Sequence, residues 1–268
     1  MAIARKGMSH YRRERKRTTW TRFRLPLGQD WPKWPGYSDT YHGPLADVAG
    51  CERIRLGRIV EDPEQAALIV LWESAEALND FQKSSLCGEF LRFLGCENEP
   101  LLSLQYDCGF CMGELPREPD DLYGRMTLTI VNVSITGVLD RDRMRGTLRR
   151  AFGAYMPEGC EDLRTPPYYH WNAYAWVDDS QQEQPTAVNA SSSLATCYVF
   201  FRWNGAGASA EREEASVKEP GAAESWAQTI AEAMPPIETW KQERWDIEVA
   251  PCCLESDIKV EDEDEDEQ

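Results

Sequence analysis

The chain has 268 residues, 42% of them hydrophobic and 28% charged, which is length and apolar content enough for one large or two small domains with a sizeable core. Its net charge of -17 is uneven: residues 1–25 carry nine Lys/Arg against one acid, and residues 255–268 carry nine Asp/Glu against one Lys, so the tails cancel and the body keeps the whole deficit. A body of that sign repels phosphate backbones and anionic lipid, so neither nucleic acid nor a membrane surface is an expected partner.

No apolar run reaches the roughly 18 residues of a membrane span, and the basic N-terminus has no apolar block behind it. A cytoplasmic location is the expectation. The nine cysteines are odd in number and irregular in spacing, which reads as reduced thiols. Cys108-x-x-Cys111 has metal-like spacing but lacks a second pair, since neighbouring Cys252 and Cys253 would point apart on a strand, so no metal site is expected.

Residues 1–17 form a basic tail. Thr18 to Leu27 then alternates as a strand, and the Trp/Pro/Gly-rich Gln29 to Gly36 cannot hold regular structure. Asp39 to Val48 reads as a short interrupted helix. Two strands follow, Glu52 to Val60 and Ala66 to Trp72, joined by a turn at Glu61-Asp62-Pro63-Glu64. Ser74 caps a helix carrying Leu78 and Phe81, a second short helix carries Leu86, Phe90 and Leu94, and Leu101 to Cys108 is a strand. Residues 18–109 thus read β-α-β-β-α-β.

After a Pro- and acid-rich linker at 110–123, residues 124–250 begin the same order again. Gly124 to Ile135 is a strand, and Asp140 caps a helix with Met144, Leu148 and Phe152 at helical spacing. Tyr168 to Asp178 and Ala195 to Asn204 are paired strands. Gly205 to Pro220 is too poor in apolar residues to fold by itself. Pro220 starts a helix with Ala223, Trp226, Ile230 and Met234, Thr239 to Val249 is the last strand, and residues 251–268 are an acidic tail.

The predicted fold is α+β, with two ferredoxin-like β-α-β-β-α-β repeats. Each sheet has helices on one face only, so the other faces must bury one another, giving a barrel or sandwich whose interior can hold a ligand. In Tyr168 to Asp178 the alternation puts Tyr168, His170, Asn172, Tyr174 and Trp176 on one face and Ala173, Ala175 and Val177 on the other. The small face suits packing under helices. The polar and aromatic face would need partners in a dry core, and is expected to look into the cavity.

The stretch Ala67 to Leu94, ALIVLWESAEALNDFQKSSLCGEFLRFL, resembles the antibiotic-biosynthesis-monooxygenase, stress-responsive barrel and EthD-like branches of the dimeric α+β barrel superfamily. The chain resembles a fused, tandem form of it, an intrachain dimeric α+β barrel. The resemblance implies a range of chemistries: cofactor-free oxygenases, polyketide cyclases, isomerases, haem enzymes and sensors. Fold alone does not choose among them.

Candidate chemistry centres on three histidines. His10 lies in the basic tail, His42 follows the first strand beside Tyr41, and His170 sits on the face assigned to the cavity. An imidazole there can take and return a proton near neutral pH, with Tyr174, Tyr168 and Asn172 holding a developing oxyanion. Trp176, Trp203 and Trp245 would wall a ring system, and Asn132 would face His170. The bland alternatives are a satisfied core imidazole and an aromatic stripe that is only core. Glycine-rich phosphate loops, nucleophile elbows and zinc-hydrolase motifs are absent from the sequence. The expectation is therefore an enzyme without a cofactor, a cyclase, isomerase or dehydratase of a small hydrophobic polyketide- or terpenoid-like compound, with His42 as reserve acid/base. The alternatives are a cofactor-independent monooxygenase of a phenolic substrate and a non-catalytic ligand-binding module. A homodimer is left open.

Overall fold

The computed structural model describes residues 17–29, 31–39, 41–97, 101–106, 123–135, 146–148, 150–152, 172–177, 193–203, 209–233 and 237–249. The strands are β1 (Arg17–Arg24), β2 (Cys51–Ile59), β3 (Gln65–Trp72), β4 (Leu102–Tyr106), β5 (Tyr123–Ile135), β6 (Asn172–Val177), β7 (Ser193–Arg202) and β8 (Ile237–Val249). All eight close into one antiparallel barrel in the order β1-β3-β2-β8-β5-β7-β6-β4. Each half contributes four strands in the same internal order, and the halves meet at the β2–β8 and β4–β6 pairings. The chain is thus an α+β dimeric barrel made within one polypeptide. A closed barrel leaves no edge between the halves for another strand to occupy.

The helices lie outside this barrel. Helix α1 (Ala75–Lys83) starts at Ser74, whose hydroxyl accepts from the Ala77 N–H at 3.1 Å, and α2 (Ser85–Phe93) follows at once. In the second half residues 146–148 and 150–152 are helical, and α3 (Ser209–Lys218) and α4 (Ala222–Glu232) follow β7.

Two expectations are corrected here. The helix expected across 39–48 is a single 3-10 turn, Gly43–Leu45, because Gly43 sits at φ +52° and a Cβ there would fall 2.4 Å from the Trp34 ring. The segment 205–220, expected not to fold by itself, contains α3. Its buried residues are Glu213 and Ser216, so it is held by a buried ion pair rather than by an apolar stripe.

Three cores result. The barrel interior is filled by Trp20, Ile69, Leu104, Tyr106, Met126, Phe200 and Trp245 among others. There Trp20 stacks on Phe200 at 5.8 Å and meets Trp245 edge-on at 5.4 Å. Outside the first half's sheet, Trp31 and Trp34 pack with Trp72, Phe81 and Phe90 under α1 and α2. Outside the second half's sheet lies a core of Val131, Val133, Leu148, Phe152, Tyr174, Trp176 and Cys197, with Trp226 and Ile230 packed on it. Among the described residues the interior is therefore a packed core where a ligand chamber was expected.

Candidate active site

Strand β6 alternates as its sequence dictates, but its faces are exchanged relative to expectation. Ala173 and Ala175 point into the barrel, where Trp20, Trp245 and Phe200 leave room only for small side chains, while Tyr174 and Trp176 point outward under the second half's helices. Both faces of this sheet are buried, so the pattern alone does not say which one the helices cover. The hollow follows the aromatic face outward.

That hollow measures about 380 Å³ and lies between the second half's sheet and α3 and α4. Its floor is set by strand register. Phe201, Thr127 and Arg244 form one row across β7, β5 and β8, and Val199, Thr129 and Gln242 form the next. The third row is Cys197, Val131 and Trp240, of which Trp240 reaches the cavity. On β6, Tyr174 is the register partner of Val199, which places it one strand beyond the floor.

Aromatic side chains form the walls. Phe201 and Trp203 meet at 4.9 Å, Phe152 and Trp226 at 5.7 Å, and Trp226 and Trp240 at 6.1 Å. The rim is apolar and open, with Val217 63% and Trp240 44% exposed. Cavities of a few hundred Å³ with this lining suit flat, drug-sized ligands.

Polar atoms concentrate at one end. Glu213, 1% exposed, takes the Arg125 guanidinium at 2.5 Å and the Thr127 hydroxyl at 3.2 Å. Thr127 Oγ1 in turn accepts the Trp203 indole N–H at 2.8 Å, and the Gln242 amide donates to Thr129 Oγ1 at 3.2 Å. Arg244 donates from Nε to Glu61 at 2.6 Å and lies 3.9 Å from Glu213 through Nη1. Its Nη2 has no protein partner among the described residues. The Glu61 bond, with Glu213 adding charge, raises the Arg244 pKa against the opposing effect of burial, so the cation persists at any working pH.

The residues singled out from sequence are scattered. Trp203 lines the cavity. Tyr174 and Trp176 belong to the core beside it. Trp245 is inside the barrel. Asn132 sits half-buried, accepting from Thr196 at 2.8 Å and donating to Thr239 at 2.9 Å. In the first half, Asp39 accepts from the Tyr41 and His42 N–H groups and pairs with the His42 ring Nδ1 at 2.5 Å. Burial pulls the Asp39 carboxyl upward, and these bonds outweigh it and hold it below the ordinary carboxylate range. Tyr41 borders a separate cleft of about 620 Å³ together with Lys33 and Arg58. Tyr168 and His170 lie outside the described residues, as does the side chain of Asn172.

Sequence reasoning missed Thr129, Phe152, Glu213, Trp226, Gln242 and Arg244. The available signal was the alternation of β8, which puts Trp240, Gln242 and Arg244 on one face. Among the described residues no cluster of His, Cys, Asp and Glu suits a metal ion, and no helix is long and apolar enough to cross a membrane.

Residues 38–92 match the family model described as antibiotic biosynthesis monooxygenase. Among solved structures the chain is similar to an anthrone oxidase-like protein at 10% identity and a TM-score of 0.44, over 89% of this chain and 94% of that one. It is also similar to a candidate monooxygenase of Lactobacillus acidophilus NCFM at 9% identity and a TM-score of 0.38, over 88% of this chain and 97% of that one. A third is a candidate monooxygenase of Fusobacterium nucleatum subsp. nucleatum ATCC 25586, at 10% identity and a TM-score of 0.39, over 88% and 93%. No curated protein matches in sequence.

Proposed function

We propose that this intrachain dimeric α+β barrel, whose residues 38–92 match the antibiotic biosynthesis monooxygenase family, is a cofactor-independent monooxygenase of a flat, electron-rich phenol bound in the second half's outer cavity. The observation that carries the reading is an aromatic slot with a permanent cation at its polar end. Ring faces of Trp203, Trp226 and Phe201 sandwich a fused ring system, and Arg244, with the Gln242 amide beside it, takes the phenolic oxygen. A guanidinium beside a phenol favours the phenolate, because an opposite charge within a few ångströms stabilises the ionised form.

The phenolate is the reactive species. It transfers an electron to oxygen, the radical pair joins as a carbon–oxygen bond, and loss of water from the resulting hydroperoxide leaves a quinone. Phenol plus O2 gives quinone plus water, so the substrate supplies every electron and no external reductant is needed. The chain's share of the work is to hold the ring and ionise the hydroxyl.

Support for a monooxygenase is greater than for the cyclase or isomerase expected from sequence. That expectation assigned acid–base work to His170, which lies outside the described residues, whereas residues 38–92 match a monooxygenase family model. The test is oxygen uptake by the purified chain with a panel of two- and three-ring phenols, without added flavin, metal or reductant. Stoichiometric oxygen loss and quinone absorbance are expected. Tight binding of the panel with no oxygen uptake would make the protein a ligand-binding module instead.

A further inference from the structure

Arg244 is reached by both halves of the barrel. Its main-chain carbonyl accepts the Val60 N–H at 2.9 Å, and its guanidinium Nε donates to Glu61 at 2.6 Å. Val60 and Glu61 follow β2 in the first half, at the turn into β3, whereas Arg244 and the rest of the cavity floor belong to the second. The other carboxylate near this guanidinium, Glu213, is 3.9 Å away and already committed to Arg125 and Thr127. A four-bond side chain a third exposed would otherwise sample several rotamers, and a fixed hydrogen bond restricts them.

We propose that Glu61 is a positioning residue for the second half's site: by fixing Nε it holds the rest of the Arg244 guanidinium toward the cavity that Arg244 lines, so that the first half, none of whose described residues lines this cavity, completes it. The inference rests on the reading of Arg244 as the group that takes a phenolate oxygen. As a stabilising contact the Glu61–Arg244 pair counts for little, because both side chains are partly exposed (52% and 34%) and screened by water. Its effect falls on the geometry of the charge. Gln at this position keeps a carbonyl oxygen that accepts from Nε; Ala does not.

The experiment uses the full chain and 4-nitrophenol, whose absorbance distinguishes phenol from phenolate. Affinity for the probe and the pH at which the bound probe ionises are measured for the wild type, Glu61→Ala and Glu61→Gln. The wild type is expected to bind the probe and ionise it at lower pH than free probe. Glu61→Ala should bind about tenfold more weakly and lose most of that displacement, the effect of one misdirected charge-assisted bond. Glu61→Gln should stay within about twofold of wild type, and all three should melt together. Equal binding and ionisation in wild type and Glu61→Ala would overturn the role of Glu61 while leaving the Arg244 site intact. No binding or no displacement in the wild type itself would overturn both.

Discussion

Replacing Glu213 by Ala tests whether helix α3 is held by a buried charge. In the structure this carboxylate is 1% exposed, and its strongest contact is the 2.5 Å bond to Arg125, a side chain only 6% exposed. Removing one partner of a buried pair costs about 3–5 kcal/mol, because the remaining charge is left in a medium that solvates it poorly. Arg125 would keep Asp246 at 2.7 Å, but that carboxylate is 59% exposed and screened, so the lower end, about 3 kcal/mol, applies. For a chain of this size that corresponds to a melting temperature lower by about 6–12 °C. Replacing both partners together, Arg125→Met with Glu213→Leu, should return stability to within about 1 kcal/mol of wild type, since apolar side chains of similar volume need no desolvation. Thermal melts and urea titrations of the three proteins decide the matter. A single variant that loses less than about 1 kcal/mol, or a double variant as unstable as the single, would mean that this ion pair does not hold α3 in place.

Other expectations follow from the packed interior and from its charges. A Cβ on Gly57 would lie 2.8 Å from Ile247 Cδ1 and 2.9 Å from Trp245 Cε3, so Gly57→Ala should cost about 1–3 kcal/mol by urea titration. An unchanged midpoint would mean that the barrel interior has slack. Glu243 is partly buried, which pushes its carboxyl up, but the bidentate Arg22 bonds at 2.7 and 3.0 Å and Lys241 outweigh this and hold its pKa below the ordinary value. The stability this gives is present above the unfolded carboxyl's pKa, about 4.3, and is lost as pH falls through the lower folded value. Unfolding free energies of Glu243→Gln should therefore fall less steeply than wild type between about pH 5 and 3. Parallel curves would count against the pair.

Much of the architecture could be read from residue order. The Ser74 cap, the division of the strands into two four-stranded halves and the mutual burial of their sheets follow from local chemistry that the tertiary structure preserves, whereas the first crossover helix does not. The orientation of β6 could not, since both of its faces are buried and only the crowd of Trp20, Trp245 and Phe200 inside the barrel makes the alanines the inner set. Helix α3 was illegible for a different reason. Its sequence, SAEREEASVK, has no apolar stripe, and the residue that anchors it is a glutamate whose partner is 88 positions away. For the candidate site, Trp203 was named as a wall of the barrel interior, and it lines the outer cavity instead. Arg244 and Gln242 were not legible, because a strand of charged residues reads as a solvated face until its helical roof is known.

The location of the ligand is the claim everything else depends on. Ala227 lines the cavity from α4, and Ala227→Phe would occupy the space between the tryptophans without touching the barrel interior. The most direct measurement is the calorimetric affinity, under anaerobic conditions, of wild type and Ala227→Phe for a three-ring phenol that the wild type oxidises. A loss of about a hundredfold or more with an unchanged melting temperature is expected. Undiminished affinity in the filled variant would place the substrate elsewhere and contradict the account.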